Sequence, residues 1–381
     1  MLPLTATSGT DGTAAAIWAL GPRPGYNELR VSLGEESSHT FTAMGDVFRA
    51  DEVVGDFYLG CGLVNGAIWC WGRGAPIHGA PASNYDSASA RPSPYYASIG
   101  PALFDDAREY TDLALGTGYT ICALDTQSAV WCAFPTPTGQ LLAMELVPGF
   151  PPLRRGSLTG WYGSGTCGIA EADGRAWCLE DRSVAMVPGS PSFTRLSLDV
   201  DGRLACGLQP DSTAACWGEV PVGNGSSTPS PIPVTVNGGH RFVDLVVGSW
   251  FGCGRTSTGE LWCWGTSPLG HAAWLEPRLT ATGVTLMGAM ESFLLVDRVD
   301  GPLVRAIGPD LSPEPRNLPL DGLENVAVAG VAEGGIGCVL GVENEVYCVR
   351  EQWNNWTTYE YWGYFPVMPV RQAPPSPAVV R

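Results

Sequence analysis

The sequence predicts an all-β protein: a β-propeller whose blades are short antiparallel strands with a disulfide inside the blade. Three observations predict it. Twelve cysteines recur as close pairs. Turn-forming residues sit between the members of most pairs. Gly (49) and Pro (32) are too frequent for long helices and suit many tight turns. The chain has 381 residues, a length that closed all-β architectures hold as one unit. The expected organisation is a single propeller over residues 1–370 and a Pro-rich tail or linker over 371–381.

The pairs are Cys61/Cys70, Cys122/Cys132, Cys167/Cys178, Cys206/Cys216, Cys253/Cys263 and Cys338/Cys348, with internal separations of 9, 10, 11, 10, 10 and 10 residues. First members of successive pairs lie 61, 45, 39, 47 and 85 residues apart. The last step is about twice the usual one, so a unit without cysteine belongs near residue 295. Phe293 to Gly308 fits Phe251 to Gly265, with Leu295 and Arg305 at the cysteine positions and one residue inserted before the final Gly. A second cysteine-free copy opens the chain, where Ile17-Trp-Ala-Leu-Gly21 matches Leu261-Trp-Cys-Trp-Gly265.

Each unit reads as a hairpin. An apolar run leads to the first cysteine, a polar turn follows, and an aromatic-Cys-Trp-Gly run returns. Asn65-Gly66, Asp173-Gly174, Thr258-Gly259 and Asp300-Gly301 supply turns that favour positive φ. A further strand precedes most hairpins, as at Tyr110–Leu115, Phe242–Val247 and Val326–Val328. An outer strand follows, as at Ile232–Val236. Three or four short strands repeated every ~40–50 residues make a propeller blade. One such sheet cannot cover both of its faces, whereas a ring of them can.

Cys61-Gly-Leu63 with Ile68-Trp-Cys-Trp-Gly72, and Gly252-Cys-Gly254 with Leu261-Trp-Cys-Trp-Gly265, resemble the repeat of the regulator-of-chromosome-condensation superfamily. With a cysteine pair in each hairpin the sequence looks most like the extracellular branch, which includes the Crinkly-type receptor ectodomains and exported bacterial repeat proteins. The resemblance covers roughly residues 5 to 350 and implies seven blades. The alternative is eight, with the N-terminal hairpin sealed by Pro366-Val-Met-Pro-Val370. The Gly-Gln-Leu-Gly that often follows Trp-Gly in the family is eroded here to Ser267-Pro-Leu-Gly270.

Cysteines on neighbouring strands of one hairpin sit at separations compatible with a disulfide, and full local pairing favours an oxidising compartment. The competing readings are reduced, buried cysteines or, third, zinc ligands, whose usual C-x₂-C spacing is missing. Asn224-Gly-Ser226 and Asn355-Trp-Thr357 are N-glycosylation acceptors by motif. These features point to an extracellular or cell-surface protein, although the chain shows neither a leader nor an ~18-residue apolar span.

The net charge is −17, and all positive charge is arginine. Such a field disfavours nucleic acid phosphates and anionic membranes. Gly163-Ser-Gly-Thr-Cys-Gly168 matches a dinucleotide fingerprint but leads into a strand. Glu171–Gly174 and Asp199–Gly202 resemble calcium-loop fragments but lack the terminal glutamate. Four histidines lie outside any metal or nucleophile motif. No catalytic residue, metal or cofactor is therefore assigned.

The aromatic before the second cysteine (Trp69, Trp131, Trp177, Trp262, Tyr347) recurs with the repeat, which assigns it to packing between blades. Two segments break the repeat. The insertion from Arg73 to Glu109 carries Tyr85, Tyr95 and Tyr96. The stretch from Trp353 to Tyr364 carries Trp353, Trp356, Tyr359, Tyr361 and Trp362. Long loops on a rigid ring and exposed aromatics are where recognition resides, so these residues are the candidate contacts. For the second stretch, the outer strand of the last blade is an equal alternative. The expected function is a non-catalytic extracellular binding or structural module for a protein or glycan partner. The alternatives are an intracellular partner-binding propeller of the guanine-exchange type, a secreted inhibitor, and a carbohydrate-active enzyme with two facing carboxylates.

Overall fold

The computed structural model describes residues 49–55, 59–72, 102–116, 120–135, 143–161, 165–199, 202–248, 250–266, 273–290 and 345–349. It also describes the strands Ala14–Ala15, Gly25–Leu33, Ser37–Gly45, Phe293–Arg298, Gly301–Ile307, Val328–Val331, Cys338–Gly341, Val367–Pro369 and Val379–Val380. Among these residues stand seven antiparallel sheets of three or four strands, each with its strands in chain order. Their leading strands are Glu52–Gly55, Tyr110–Gly116, Thr159–Trp161, Arg195–Leu198, Phe242–Gly248, Val284–Met290 and Val328–Val331.

Successive leading strands touch in order, and the second strand of the seventh sheet touches the leading strand of the first. A bridge between Arg49 and Glu345 joins the same two sheets. This is a closed β-propeller.

The core is divided into slabs, each drawn from two adjacent sheets. Leu63, Ile68 and Phe104 of the first sheet pack with Leu113, Leu115 and Ile121 of the second. Leu204 and Cys206 of the fourth pack with Leu245 and Trp264 of the fifth. Ala50, Val53 and Trp71 of the first meet Val346 of the seventh and so cover the closing seam. Alternation along a strand explains the arrangement, since adjacent residues serve opposite slabs. Val246 faces the sixth sheet, while Leu245 and Val247 face the fourth.

Cystines and tryptophans divide the two faces between them. Each disulfide among the described residues points to the following sheet, as Cys206 and Cys216 pack with Trp264, and Cys167 packs with Trp217. Glycine makes room for these rings. A Cβ added to Gly252 would lie 2.8 Å from the Trp264 indole, and the two residues are partners across the hairpin.

The hairpin turns also join one sheet to the next. The carbonyl of a turn residue accepts an N–H at or just before the start of the following sheet's leading strand. The pairs are Gly66 with Tyr110 (2.9 Å), Gly174 with Phe193 (2.7 Å), Ser212 with Phe242 (2.8 Å) and Gly259 with Val284 (3.0 Å). All four acceptors have positive φ, at 77°, 74°, 70° and 81°, which glycine adopts without a steric cost. Ser212 is the exception in residue type.

Several expectations change against this geometry. Ala306, not Arg305, stands opposite Leu295, and Arg305 pairs with Val296. The extra residue therefore falls on the turn side of the hairpin. Val367–Pro369 pairs with Tyr347–Val349 as the outer strand of the seventh sheet. It does not seal an eighth blade, and it fills the outer-strand place that was the alternative reading for 353–364. The end of the Arg73–Glu109 insertion is likewise not loop, because Ala102–Asp105 is the outer strand of the first sheet. The N-terminal hairpin is formed by Gly25–Leu33 and Ser37–Gly45 as a separate two-stranded sheet, and Ile17–Gly21 lies outside the described residues. Within the 371–381 tail, Val379–Val380 pairs with Ala14–Ala15.

Ser212→Gly should raise stability by up to ~1 kcal/mol by relieving the left-handed conformation, and Gly259→Ala should lower it by ~1 kcal/mol or more. Denaturant unfolding of both variants checks this, since opposite signs are expected at equivalent turns.

Candidate functional site

Every described cystine lies at a directly opposed pair of residues in its hairpin. Cys61–Cys70, Cys122–Cys132, Cys167–Cys178, Cys206–Cys216 and Cys253–Cys263 are bonded, with Cα separations of 4.0–4.1 Å. Cys338 and Cys348 are opposed in register in the same manner. All the bonded cysteines except the half-buried Cys178 are buried between sheets, which makes the disulfides structural.

The surface candidates stand along the outer half of the sheets. Trp69, Trp131 and Trp262 precede the second cysteine and are only partly buried, at the margin of the slabs. The tryptophans that follow it, Trp71, Trp217 and Trp264, are buried. Trp69, Trp131 and Trp262 thus take part in the packing between blades and also reach the surface, while Trp177 is half-buried and the Tyr347 side chain lies outside the described residues.

Directly opposite Trp69, Trp131 and Trp262 on the outermost strands stand Leu103, Leu146 and Leu279. These leucines are 40%, 52% and 45% exposed. The repeat therefore displays a half-covered indole beside an exposed leucine on three sheets. Aromatic and aliphatic groups displayed this way are suited to contact with another molecule. Prolines in the outer strands, Pro231, Pro233 and Pro277, lack the N–H that would recruit a further strand.

Two of these indoles carry a lid from the residue two positions before the leading strand's first aromatic. In the second sheet the Arg108 guanidinium lies 3.6 Å from the Trp131 ring centroid, and the indole N–H donates to Asp125 Oδ2 at 2.8 Å. Asp125 Oδ1 also accepts the amides of Gln127 (2.8 Å) and Ala129 (2.9 Å). In the fifth sheet the His240 ring lies 4.0 Å from Trp262, and the indole donates to Glu260 Oε2 at 3.4 Å. Burial lowers the His240 pKa, with Glu260 opposing the shift. A neutral imidazole thus takes the place that Arg108 fills as a permanent cation. Each lid covers an indole face, which leaves the exposed leucine beside it as the open apolar element.

A second recurrent position lies on the leading strands. It sits two residues before the residue opposite the first cysteine. Glu52, Asp112, Arg195 and Asp244 occupy it in the first, second, fourth and fifth sheets, opposite Leu63, Leu124, Leu208 and Arg255. Arg195 Nη1 reaches Asp244 Oδ1 at 3.1 Å across the seam between the fourth and fifth sheets. In the corresponding place between the first and second sheets two carboxyl groups meet instead. Glu52 hydrogen-bonds Asp112, and burial raises the pKa of both. Asp112 is 1% exposed and Glu52 is half-buried. Glycosidases instead hold their carboxyl groups ~5–9.5 Å apart with access for a sugar.

Of the remaining sequence candidates, Asn224 lies in a half-buried loop of the fourth sheet. Its Oδ1 accepts the Ser226 amide at 3.0 Å, an Asx turn. Asn355, Tyr85, Tyr95, Tyr96, Trp353, Trp356, Tyr359, Tyr361 and Trp362 lie outside the described residues. Sequence reasoning missed the Glu52–Asp112 contact and the exposed leucines. The strand registers that create both are set by neighbours 15 to 60 residues away. The one local signal is the leucine's place in a strand following the Trp-Cys.

Residues 242–270 match the regulator of chromosome condensation (RCC1) repeat. They span the first three strands of the fifth sheet. No curated protein sequence matches the chain. Among solved structures, yeast RCC1 (Prp20) bound to Kap60 is similar with a TM-score of 0.58 at 13% identity, over 74% of this chain and 78% of that chain. Human WBSCR16 is similar with a TM-score of 0.55 at 14% identity, over 77% of this chain and 87% of that chain. Prp20p from Saccharomyces cerevisiae, studied for its binding to Gsp1p and histones, gives a TM-score of 0.56 at 12% identity, over 74% and 80%.

Replacing Asp125 by Ala should cost ~2–3 kcal/mol, because an indole N–H and two turn amides lose their acceptor together. Arg108→Ala, which removes only the lid, should cost ~0.5–1 kcal/mol. Chemical denaturation ranks the two, and tryptophan emission should shift to the red in both.

Proposed function

We propose that this RCC1-like β-propeller is a non-catalytic extracellular binding or structural module. It offers the outer surface of its sheets to a protein or glycan partner within a larger surface or matrix assembly. The observation that carries the reading is the cystine placed at one equivalent position in each of five successive sheets. Disulfides used at that density belong to oxidising compartments. They also suit a scaffold that stays rigid while its surface does the work. Exposed Leu103, Leu146 and Leu279 beside their tryptophans supply an apolar contact surface on an otherwise acidic protein. The sixth pair, Cys338 and Cys348, completes the set as a disulfide in this proposal.

A second reading has one observation in its favour. Yeast RCC1, whose fold is similar, is recorded with the protein partner Kap60. An intracellular partner-binding propeller would keep the ring and the outer-surface contact but hold its cysteines as thiols.

Alkylation separates the two. Denatured, unreduced protein treated with iodoacetamide should gain no mass, and prior reduction should expose all twelve cysteines. Twelve alkylated cysteines without reduction would favour the intracellular reading.

A further inference from the structure

We propose that the Glu52–Asp112 pair is a proton-held latch on the seam between the first and second sheets, closed at mildly acidic pH and weakened as the pH rises. This goes beyond the binding role. It concerns how the ring is held shut rather than what it contacts.

Geometry and register carry the argument. The same position on successive sheets is used to tie adjacent leading strands. Between the fourth and fifth sheets the tie is an ion pair, Arg195 to Asp244. Between the first and second sheets both partners are acids, and like charges in contact repel unless a proton lies between them. Asp112 is the better site for the negative charge. Its Oδ2 accepts the Leu158 amide of the third sheet at 2.8 Å, and its Oδ1 accepts the Leu113 amide at 3.1 Å. Glu52 then keeps the proton and donates it to Asp112. Through Asp112 the latch spans three sheets.

Among the described residues, the strands packed against the pair carry no arginine, lysine or histidine to take the proton's place. The strands in contact with Glu52–Gly55 are Leu59–Val64, Tyr110–Gly116 and Cys338–Gly341. Those in contact with Tyr110–Gly116 add Thr120–Asp125, Thr159–Trp161 and Gly165–Ile169. Besides the pair and the disulfide-forming cysteines, their ionisable side chains are Asp125 and Tyr110. Asp125 is engaged by Trp131 and two turn amides. Tyr110 is turned to Asp105 at 3.3 Å, with its phenol pushed up to about 12, first by burial and then by that carboxylate. Asp51, just before the strand, accepts the Asn65 amide at 3.0 Å.

The sign follows from proton linkage. Burial, and then the Asp112 charge, hold the folded-state pKa of Glu52 well above its ordinary value. The folded protein therefore binds this proton more tightly than the unfolded chain does. The stabilisation is complete below the ordinary glutamate pKa, and it is lost as the pH rises through the elevated folded-state value.

The test compares wild type and Glu52→Gln in thermal unfolding across pH 5 to 8. Glutamine keeps a donor for Asp112 but cannot ionise. Wild type should lose several degrees of midpoint over this range relative to the variant, and the variant should equal or exceed wild type at pH 8. Parallel profiles would overturn the proposal. If the variant does not fold, infrared spectra of wild type in D₂O at neutral pH decide. A buried protonated-carboxyl band supports the latch, and its absence overturns it.

Discussion

A sheet of three or four short strands with apolar groups on both faces cannot stand alone in water. Every described feature of this chain follows from that constraint. Each face needs a neighbour, each neighbour has a second face to cover, and only a ring satisfies them all. Slabs drawn from adjacent sheets are the direct expression of this, and the slab between the seventh and first sheets completes it. The turn carbonyls that receive an amide at or just before the start of the next sheet fix the spacing between sheets. Left-handed turn residues are thus as much a part of the ring as the buried side chains.

Within that frame the cystine and the tryptophan have complementary tasks. The cystine fixes the middle of its hairpin and presents sulfur to the next sheet. The tryptophan that follows the second cysteine lies against the previous sheet, and Trp71 and Trp264 also lie over a glycine of their own hairpin. Glycine, cysteine and tryptophan therefore recur together because one packing problem needs all three. The tryptophan before the second cysteine, on the same face but nearer the turn, reaches the rim. There the repeat can acquire surface chemistry without disturbing the ring.

Much of this was legible in the sequence because it is local. Paired cysteines nine to eleven residues apart, with a short polar turn between them such as Asn65-Gly66 or Asp173-Gly174, encode a hairpin within a single window. Phe242 and Tyr110 mark leading strands for the same reason. The candidate site was far less legible. Glu52 and Asp112 are sixty residues apart in sequence and meet only because both stand at the same register position on adjacent sheets. The Arg108 lid on Trp131 depends on the chain passing over its own sheet before the leading strand begins. The aromatic segments chosen for recognition, around Tyr85 and Trp353, were selected for breaking the repeat. The exposed leucines instead obey the repeat, so nothing in the sequence sets them apart.

Native-state hydrogen exchange tests ring closure most directly. A closed ring predicts that leading-strand amides of the first sheet, such as Val53, exchange through the same global opening as Leu196 in the fourth. An open row of sheets would fray from its ends. First-sheet amides that exchange orders of magnitude faster than those of the fourth at pH 5, where the seam should be tightest, would contradict the closed ring.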